Sequence, residues 1–388
     1  MNRIPLKYNA RSLVVRKVTT AMTVLGVALV VGIFVLVLSL ASGLREAIVS
    51  AGADDNLLIL GKGARGEAEG GLTREMAAIM KGLAHVKIDA RGEACVSPEL
   101  LISPIIKSKT GNEETWTNVR GVETIALTVH EQVKIAEGSM LQPGSEEIVV
   151  GQSCARELGD LRPGDRLQFG RRQWRIVGLF AANGTKFESE IWADLNILMD
   201  DFHRHLLSCV SIKMAGPDKL EPTAQAIEHD PRLTVKALSE TSYLEDETQT
   251  ATAYRAMGLA VAFILAAGAW FGAMNTMYAA VAGRVREIAT LRALGFYRRA
   301  ILSSFVIESV LMSLLAGGVG CLLAFFANGI SLTTMNFNTF SNVSFALRVT
   351  PEILAAGMVF ALCIGVAGGL LPALQAARLP ITQALREA

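Results

Sequence analysis

Four long apolar runs, a basic bias on one side of them, and a long polar stretch after the first predict the fold class. It is an α-helical membrane protein with four transmembrane helices plus an α+β extracytoplasmic domain inserted between the first and second. Each run supplies the roughly 20 mainly apolar residues that crossing a bilayer requires. The 388-residue chain is 51% hydrophobic, more than a soluble domain usually carries. Its formal net charge of +1 gives no reason to expect nucleic acid as a partner.

In chain order, residues 1–17 place Arg3, Lys7 and Arg11 on one helical face beside Leu6, Ala10 and Leu13. That pattern predicts an amphipathic helix on the cytoplasmic membrane surface. The first span, 18–41, ends near Ser39-Leu40-Ala41, which resembles a cleavage site. The run is too long for the roughly 7–15-residue core of a signal peptide, so a retained anchor is expected. Residues 42–255 are punctuated by Pro143-Gly144, Pro163-Gly164-Asp165, Gly216-Pro217 and Asp230-Pro231. Between these, 147–150 reads as a strand followed by a helix over 153–158. Residues 166–169 and 173–179 read as a hairpin around Gly170-Arg171, and 209–237 as β-α-β. Both ends of this domain are expected to be helical. Gly43–Ser50 continues the first span, and Ser239–Arg255, free of Gly and Pro, enters the second as a stiff rod.

The remaining spans are 256–281, 300–327 and 353–372, separated by a segment at 282–299 and a loop at 328–352 and followed by a tail at 373–388. Arg3, Lys7, Arg11, Arg16 and Lys17 precede the first span. Arg284, Arg286, Arg292, Arg298 and Arg299 lie between the second and third, and Arg378 and Arg386 follow the fourth. The 328–352 loop has Arg348 alone. Basic residues concentrate on the cytoplasmic side, so both termini are expected there, with 42–255 and 328–352 outside. Small residues recur at helical spacing: Gly268 and Gly272; Ala316, Gly320 and Ala324; Ala361, Gly365, Gly369 and Ala373. Such stripes bring helices close together, within one chain or across a dimer, and spacing does not separate the two.

No Walker A loop, H-E-x-x-H or G-x-S-x-G string occurs, so neither a catalytic residue nor a directly bound cofactor is expected. Asp200, Asp201, His203 and His205 form the one metal-like cluster, but helical positions i and i+2 do not share a face, and no metal site is expected. None of the five cysteines forms a C-x-x-C pair. Cys321 and Cys363 fall in apolar runs and read as packing residues. The count allows one disulfide among Cys95, Cys154 and Cys209 without choosing a pair. Glu308 lies about two turns inside the third span, where a carboxylate is costly. It either forms a coupling ion pair with an arginine on the cytoplasmic side or stays hydrated at the membrane edge.

The 282–299 segment, AGRVREIATLRALGFYRR, carries Val285, Ile288, Leu291 and Leu294 on one edge of a short helix. Arg284 and Glu287 are spaced to pair, and Gly295 with Phe296 stands where a helix C-cap belongs. The string Arg286-Glu287-Ile288-Ala289-Thr290-Leu291-Arg292-Ala293-Leu294-Gly295 resembles the R-E-I-x-x-L-R-A-x-G signature of FtsX-like permeases, the MacB-type ABC transporter family. Glu308 stands where that family carries a glutamate early in its third span. Leu371-Pro372-Ala373, Ala376-Ala377, Pro380-Ile381 and Ala384-Leu385-Arg386 resemble its closing pattern. Ala10-Arg11-Ser12-Leu13 and Thr23-Val24-Leu25-Gly26 are similar to its opening, with Thr23-Val24 replacing the more usual Leu-Thr. Leu161–Asp165 through Val177-Gly178 is similar to its outer-domain hairpin.

The resemblance implies a non-catalytic permease of the cell inner membrane that works as a dimer with a second copy or paralogue. It implies a cytoplasmic ABC ATPase dimer on separate chains that holds ATP and Mg, since the first span begins close to Met1. The segment containing Arg284, Arg286, Glu287, Ile288, Leu291, Arg292, Ala293, Leu294 and Gly295 would be the coupling helix. ATPase closure would be passed to the outer domain (mechanotransmission) to export or extract a lipid, lipoprotein, peptide or antibiotic, with a periplasmic adaptor or lipoprotein as a further partner. The alternative within the family is a signalling subunit that controls cell-wall hydrolases or senses peptide antibiotics.

Overall fold

The computed structural model describes residues 17–109, 114–336 and 341–378. Most of the amphipathic segment expected at 1–17, and the tail beyond Arg378, lie outside the described residues. The described residues form two compact units, a helical one within Met1–Ser42, Thr252–Ile330 and Leu347–Ala388 and a sheet one within Gly43–Ala251 and Ser331–Ala346.

Helix α1 (Lys17–Val49) is the first described element. Strand β1 (Asn56–Gly61) follows, and then helix α2 (Arg74–Lys81), whose N-cap Thr73 accepts a hydrogen bond from the Met76 amide. Next come β2 (Val96–Ile102), a hairpin of β3 (Ile105–Lys107) and β4 (Glu114–Trp116), β5 (Asn118–Val122) and the single turn α3 (Ala126–Val129). Strands β6 (Lys134–Gly138) and β7 (Glu147–Gly151), helix α4 (Gln152–Glu157), and the hairpin of β8 (Arg166–Phe169) and β9 (Arg172–Ala181) follow. A 3-10 turn at Lys186–Ser189 leads into β10 (Glu190–Asp194). Helix α5 (Leu195–Asp201) starts on an Asp194 carboxylate that accepts from the Asn196 and Ile197 amides. Strand β11 (Cys209–Lys213), helix α6 (Leu220–His229), strand β12 (Val235–Ser239) and helix α7 (Glu240–Glu247) complete the inserted segment. The chain closes with α8 (Gln249–Ala282), α9 (Val285–Ala293), α10 (Arg298–Phe325), the hairpin of β13 (Ser331–Asn336) and β14 (Ser341–Ala346), and α11 (Pro351–Arg378).

Ten strands form one sheet in the order β12-β1-β11-β2-β5-β10-β7-β9-β6, with β8 added to β9. Strands β2, β5, β7, β10 and β11 are buried along their whole length, so both sheet faces are covered and alternation is lost. The segment expected as β-α-β is β11-α6-β12, but β1 inserts between its two strands and pairs antiparallel with both. The fold class thus stands as read: four helices long and apolar enough to cross a membrane, with an α+β domain after the first.

Three local readings change. The Ser239–Arg255 rod is two helices, because Thr248 ends α7 before α8 begins at Gln249. The 328–352 segment is more than a loop: its β13–β14 hairpin belongs to the sheet unit, where the Ser344 amide donates to Ser189 Oγ at 2.8 Å. The last helix continues through Pro372 to Arg378, although proline cannot donate to the Gly368 carbonyl one turn earlier. All five cysteines are free. Cys95, Cys154, Cys209 and Cys321 are buried, whereas Cys363 is exposed on α11.

Candidate functional site

Helix α9 is built to sit against the helical unit on one face and leave the other open. Ile288 joins a buried cluster with Met277 and Val281 of α8, Ile301 and Phe305 of α10, and Ala373 of α11. One β-branched side chain therefore shares a buried cluster with the ends of three long helices. The helix stops on a Schellman motif: the Gly295 amide donates to the Arg292 carbonyl and the Phe296 amide to the Leu291 carbonyl, both at 3.1 Å. Gly295 has φ +93°, a conformation that a Cβ would strain.

Two arginines fasten this helix. Arg284, at its N-cap, places Nη1 3.1 Å from Oε2 of Glu308, which is 4% exposed on α10. Of the two readings open for Glu308, the structure contains the ion pair. Arg292 donates from Nη1 to the Ala377 carbonyl at 3.2 Å, satisfying a carbonyl in the last turn of α11 that has no partner within the helix. The residues read together as one coupling set therefore divide. Arg284, Ile288 and Arg292 turn toward the bundle, and Leu291 is half-buried. Arg286, Glu287, Ala293, Leu294 and Gly295 are exposed, with Leu294 at 69%. Leu294 thus leaves the apolar edge on which spacing alone placed it. Three apolar or small residues and an adjacent Arg–Glu couple make a surface suited to a groove in another protein.

The small-residue stripes divide in the same way. A Cβ at Gly320 would lie 2.5 Å from the Ala28 carbonyl, so α10 and α1 touch backbone to backbone there. Gly365 and Gly369 face Ser313 and Ser309, and Ser309 Oγ donates to the Gly365 carbonyl at 2.6 Å. Gly268 and Gly272 meet nothing within 4 Å and line a groove of about 470 Å³ between α1 and α8, beside Gly26 and Thr23. Gly365→Leu is accordingly expected to destabilise the bundle by about 3 kcal/mol or more through overpacking. Gly268→Leu should leave the melting temperature of the detergent-solubilised chain within a degree or two. Equal melting of the two variants would contradict this division.

No group of three potential metal ligands occurs among the described residues, and His203 and His205 are exposed. The sheet unit does contain a feature that the sequence reading missed: a buried charge network around Arg120, which is 1% exposed. Its signal was present as charged residues, Glu99, Arg120 and Glu190, on short strands rich in Val, Leu and Ile.

A family model described as the MacB-like periplasmic core domain matches residues 20–230, and one described as the FtsX-like permease C-terminal matches 259–381. The uncharacterized ABC transporter permease YknZ of Bacillus subtilis (strain 168) is 24% identical over 409 residues, covering 97% of this chain and 96% of that one. The pyoverdine export ATP-binding/permease protein PvdT of Pseudomonas entomophila (strain L48) is 27% identical over 395 residues. There the chain is covered to 96% but spans only 58% of the relative's length. Among solved structures, the periplasmic region of MacB from Actinobacillus actinomycetemcomitans superposes with a TM-score of 0.40 at 13% identity, over 50% of this chain and 92% of that one.

Proposed function

The chain belongs to the FtsX-like ABC-transporter permeases that carry a MacB-like periplasmic core domain, and on that premise we propose that α9 is its coupling helix. In this reading a separate cytoplasmic ATPase supplies the energy. The exposed face of Arg286, Glu287, Ala293 and Leu294 docks into it, and the anchored face of Arg284, Ile288 and Arg292 passes the displacement to α8, α10 and α11. The observation that carries the reading is this two-sided construction, in which one short helix is bonded to two long ones and packed on a third while its other side stays open. Helices α1 and α8 connect in sequence to the outer domain, and we assign them to carrying the stroke there (mechanotransmission). The work done is export or extraction of a lipid, lipoprotein, peptide or antibiotic held outside the inner membrane. The basic residues of α9 and of the segment before α1 support a cytoplasmic position for both. The permease acts with a second copy or a paralogue, and an adaptor or lipoprotein completes the assembly outside.

Purification of the full chain from its native membranes in mild detergent tests this. A protein containing a Walker A loop should accompany it in near-equal amount and hydrolyse ATP. Absence of any such protein across several detergents, with nucleotide present, would overturn the proposal.

A further inference from the structure

The sheet unit holds five carboxylates, Glu67, Glu99, Glu190, Glu240 and Glu247, around two permanent cations, Arg120 and Lys186. Arg120, on β5, reaches Glu99 of β2 at 2.6 Å, Glu190 of β10 at 2.7 Å and Glu67 of the loop after β1 at 2.8 Å. Lys186 bridges Glu67 at 2.7 Å and Glu247 of α7 at 3.1 Å. Such an excess of negative charge cannot be buried unless protons complete the balance.

His130, immediately after α3, is the group placed to hold one. Its Nε2 is 2.8 Å from Glu99 Oε1, and its Nδ1 is 3.8 Å from Glu240 Oε1, just beyond hydrogen-bond length. That Nδ1 is buried with no hydrogen-bond partner among the described residues. Glu240 belongs to α7, which presents Glu240, Tyr243 and Glu247 to the network at i, i+3 and i+7, one helical face. Glu240 Oε2 accepts from the Ala53 amide at 3.0 Å and from Asn56 Nδ2 at 2.9 Å, and the Glu67 amide donates to the Tyr243 hydroxyl at 3.2 Å. Two stretches thus meet at this point: 51–56, just after α1, and α7, just before α8.

We propose that His130 and Glu240 form a proton-operated latch that fastens α7 and the segment after α1 to the sheet of the outer domain. With Nδ1 protonated, His130 attracts Glu240 while Nε2 keeps Glu99. Without that proton, Glu240 faces Glu99 and Glu67 across a buried site that only Arg120 and Lys186 offset, and α7 loosens.

The titration has a definite sign. Burial opposes charge on His130, but the Glu99 carboxylate, its hydrogen bond and Glu240 outweigh burial and the Arg120 charge, so the imidazole holds its proton above the usual 6.5. Burial also raises the Glu240 carboxyl, more than His130, the Ala53 amide and Asn56 lower it. A group whose folded value is raised stabilises below its unfolded value and loses that contribution as pH climbs through the folded one. Glu99 works oppositely: burial would raise it, but His130 and Arg120 hold it at about 2, so its contribution fails only in acid, below the ordinary 4.5. The His130 contribution is therefore complete below 6.5 and is lost as pH climbs through the raised folded value. The remaining groups facing the site are Cys209 of β11, 3.9 Å from Glu99, and the rings of Phe187 and Trp192.

The inference does not depend on ATP or on any partner, so it stands or falls separately from the permease proposal. Trp192, whose ring centre is 5.9 Å from that of His130, is the reporter. The full chain in detergent is titrated from pH 5.5 to 9 by tryptophan fluorescence, with Trp192→Phe as the background to subtract, and its melting temperature is followed in parallel. The expected result is a transition with a midpoint above 6.5, melting that falls by several degrees through it, and loss of both in His130→Gln. Glu240→Gln, which keeps the histidine, should move the midpoint down. A flat wild-type profile, or a midpoint unmoved by Glu240→Gln, would overturn the latch. The second comparison decides even if His130→Gln fails to fold.

Discussion

Glu308→Gln is expected to destabilise the α9 end of the bundle by about 3–5 kcal/mol, the usual cost of removing one partner from a buried ion pair. The carboxylate is 3.1 Å from Arg284 and almost fully enclosed. Charges so placed have lost most of their hydration, and their mutual attraction replaces it. Glutamine keeps the volume and removes the charge that faces the Arg284 guanidinium. In vesicles the same variant should lower ATP turnover at least about tenfold, the equivalent of 1.4 kcal/mol, because the anchored face of α9 no longer moves as one piece with α10. The double variant Arg284→Met with Glu308→Leu should recover most of the stability, since an apolar pair of similar volume replaces a buried ion pair at little cost. Unchanged melting of Glu308→Gln would show that the carboxylate is hydrated and that the pair fastens nothing.

Leu294→Asp should act on the opposite face and leave folding alone. The side chain is 69% exposed, and the Schellman turn around Gly295 does not use it beyond its backbone. If α9 docks into an ATPase, this leucine is the apolar centre of the contact, and Arg286 and Glu287 form its rim. Placing a carboxylate at such a centre costs about 2 kcal/mol or more, roughly 30-fold in affinity. Glu287→Arg should have a smaller effect, mainly on the rate of association, because rim charges are solvated. The check is the stimulation of ATP hydrolysis by reconstituted permease: Leu294→Asp should abolish it with the melting temperature unchanged. Full stimulation would remove α9's outer face from the interface.

The two faces of α9 also show what sequence could and could not supply. Apolar runs, basic flanks and a glycine at a helix end depend on neighbours along the chain, and the spans, their order and the stop at Gly295 were legible for that reason. Which residues of α9 point inward depends on helices up to 85 positions away, as the Arg292–Ala377 bond shows. The period-three edge therefore included Leu294, which is exposed, and missed the inward turn of Arg292. Strands with both faces covered lose alternation, so β1, β2, β5 and β10 carried no periodic signal, and the charge network strung across them went unread. The β13–β14 hairpin was read as a loop, and one bond that holds it, from the Ser344 amide to Ser189, comes from outside the segment.

If a separate ATPase drives this permease, the exposed face of α9 is where it should attach. A photo-reactive amino acid at position 294, with a second at the buried position 281 as control, tests it most directly in native membranes. The expected result is a single nucleotide-sensitive crosslink from 294 to a Walker-containing ATPase and none from 281. An ATPase captured with the chain but never crosslinked from α9, or crosslinked equally from both positions, would contradict it.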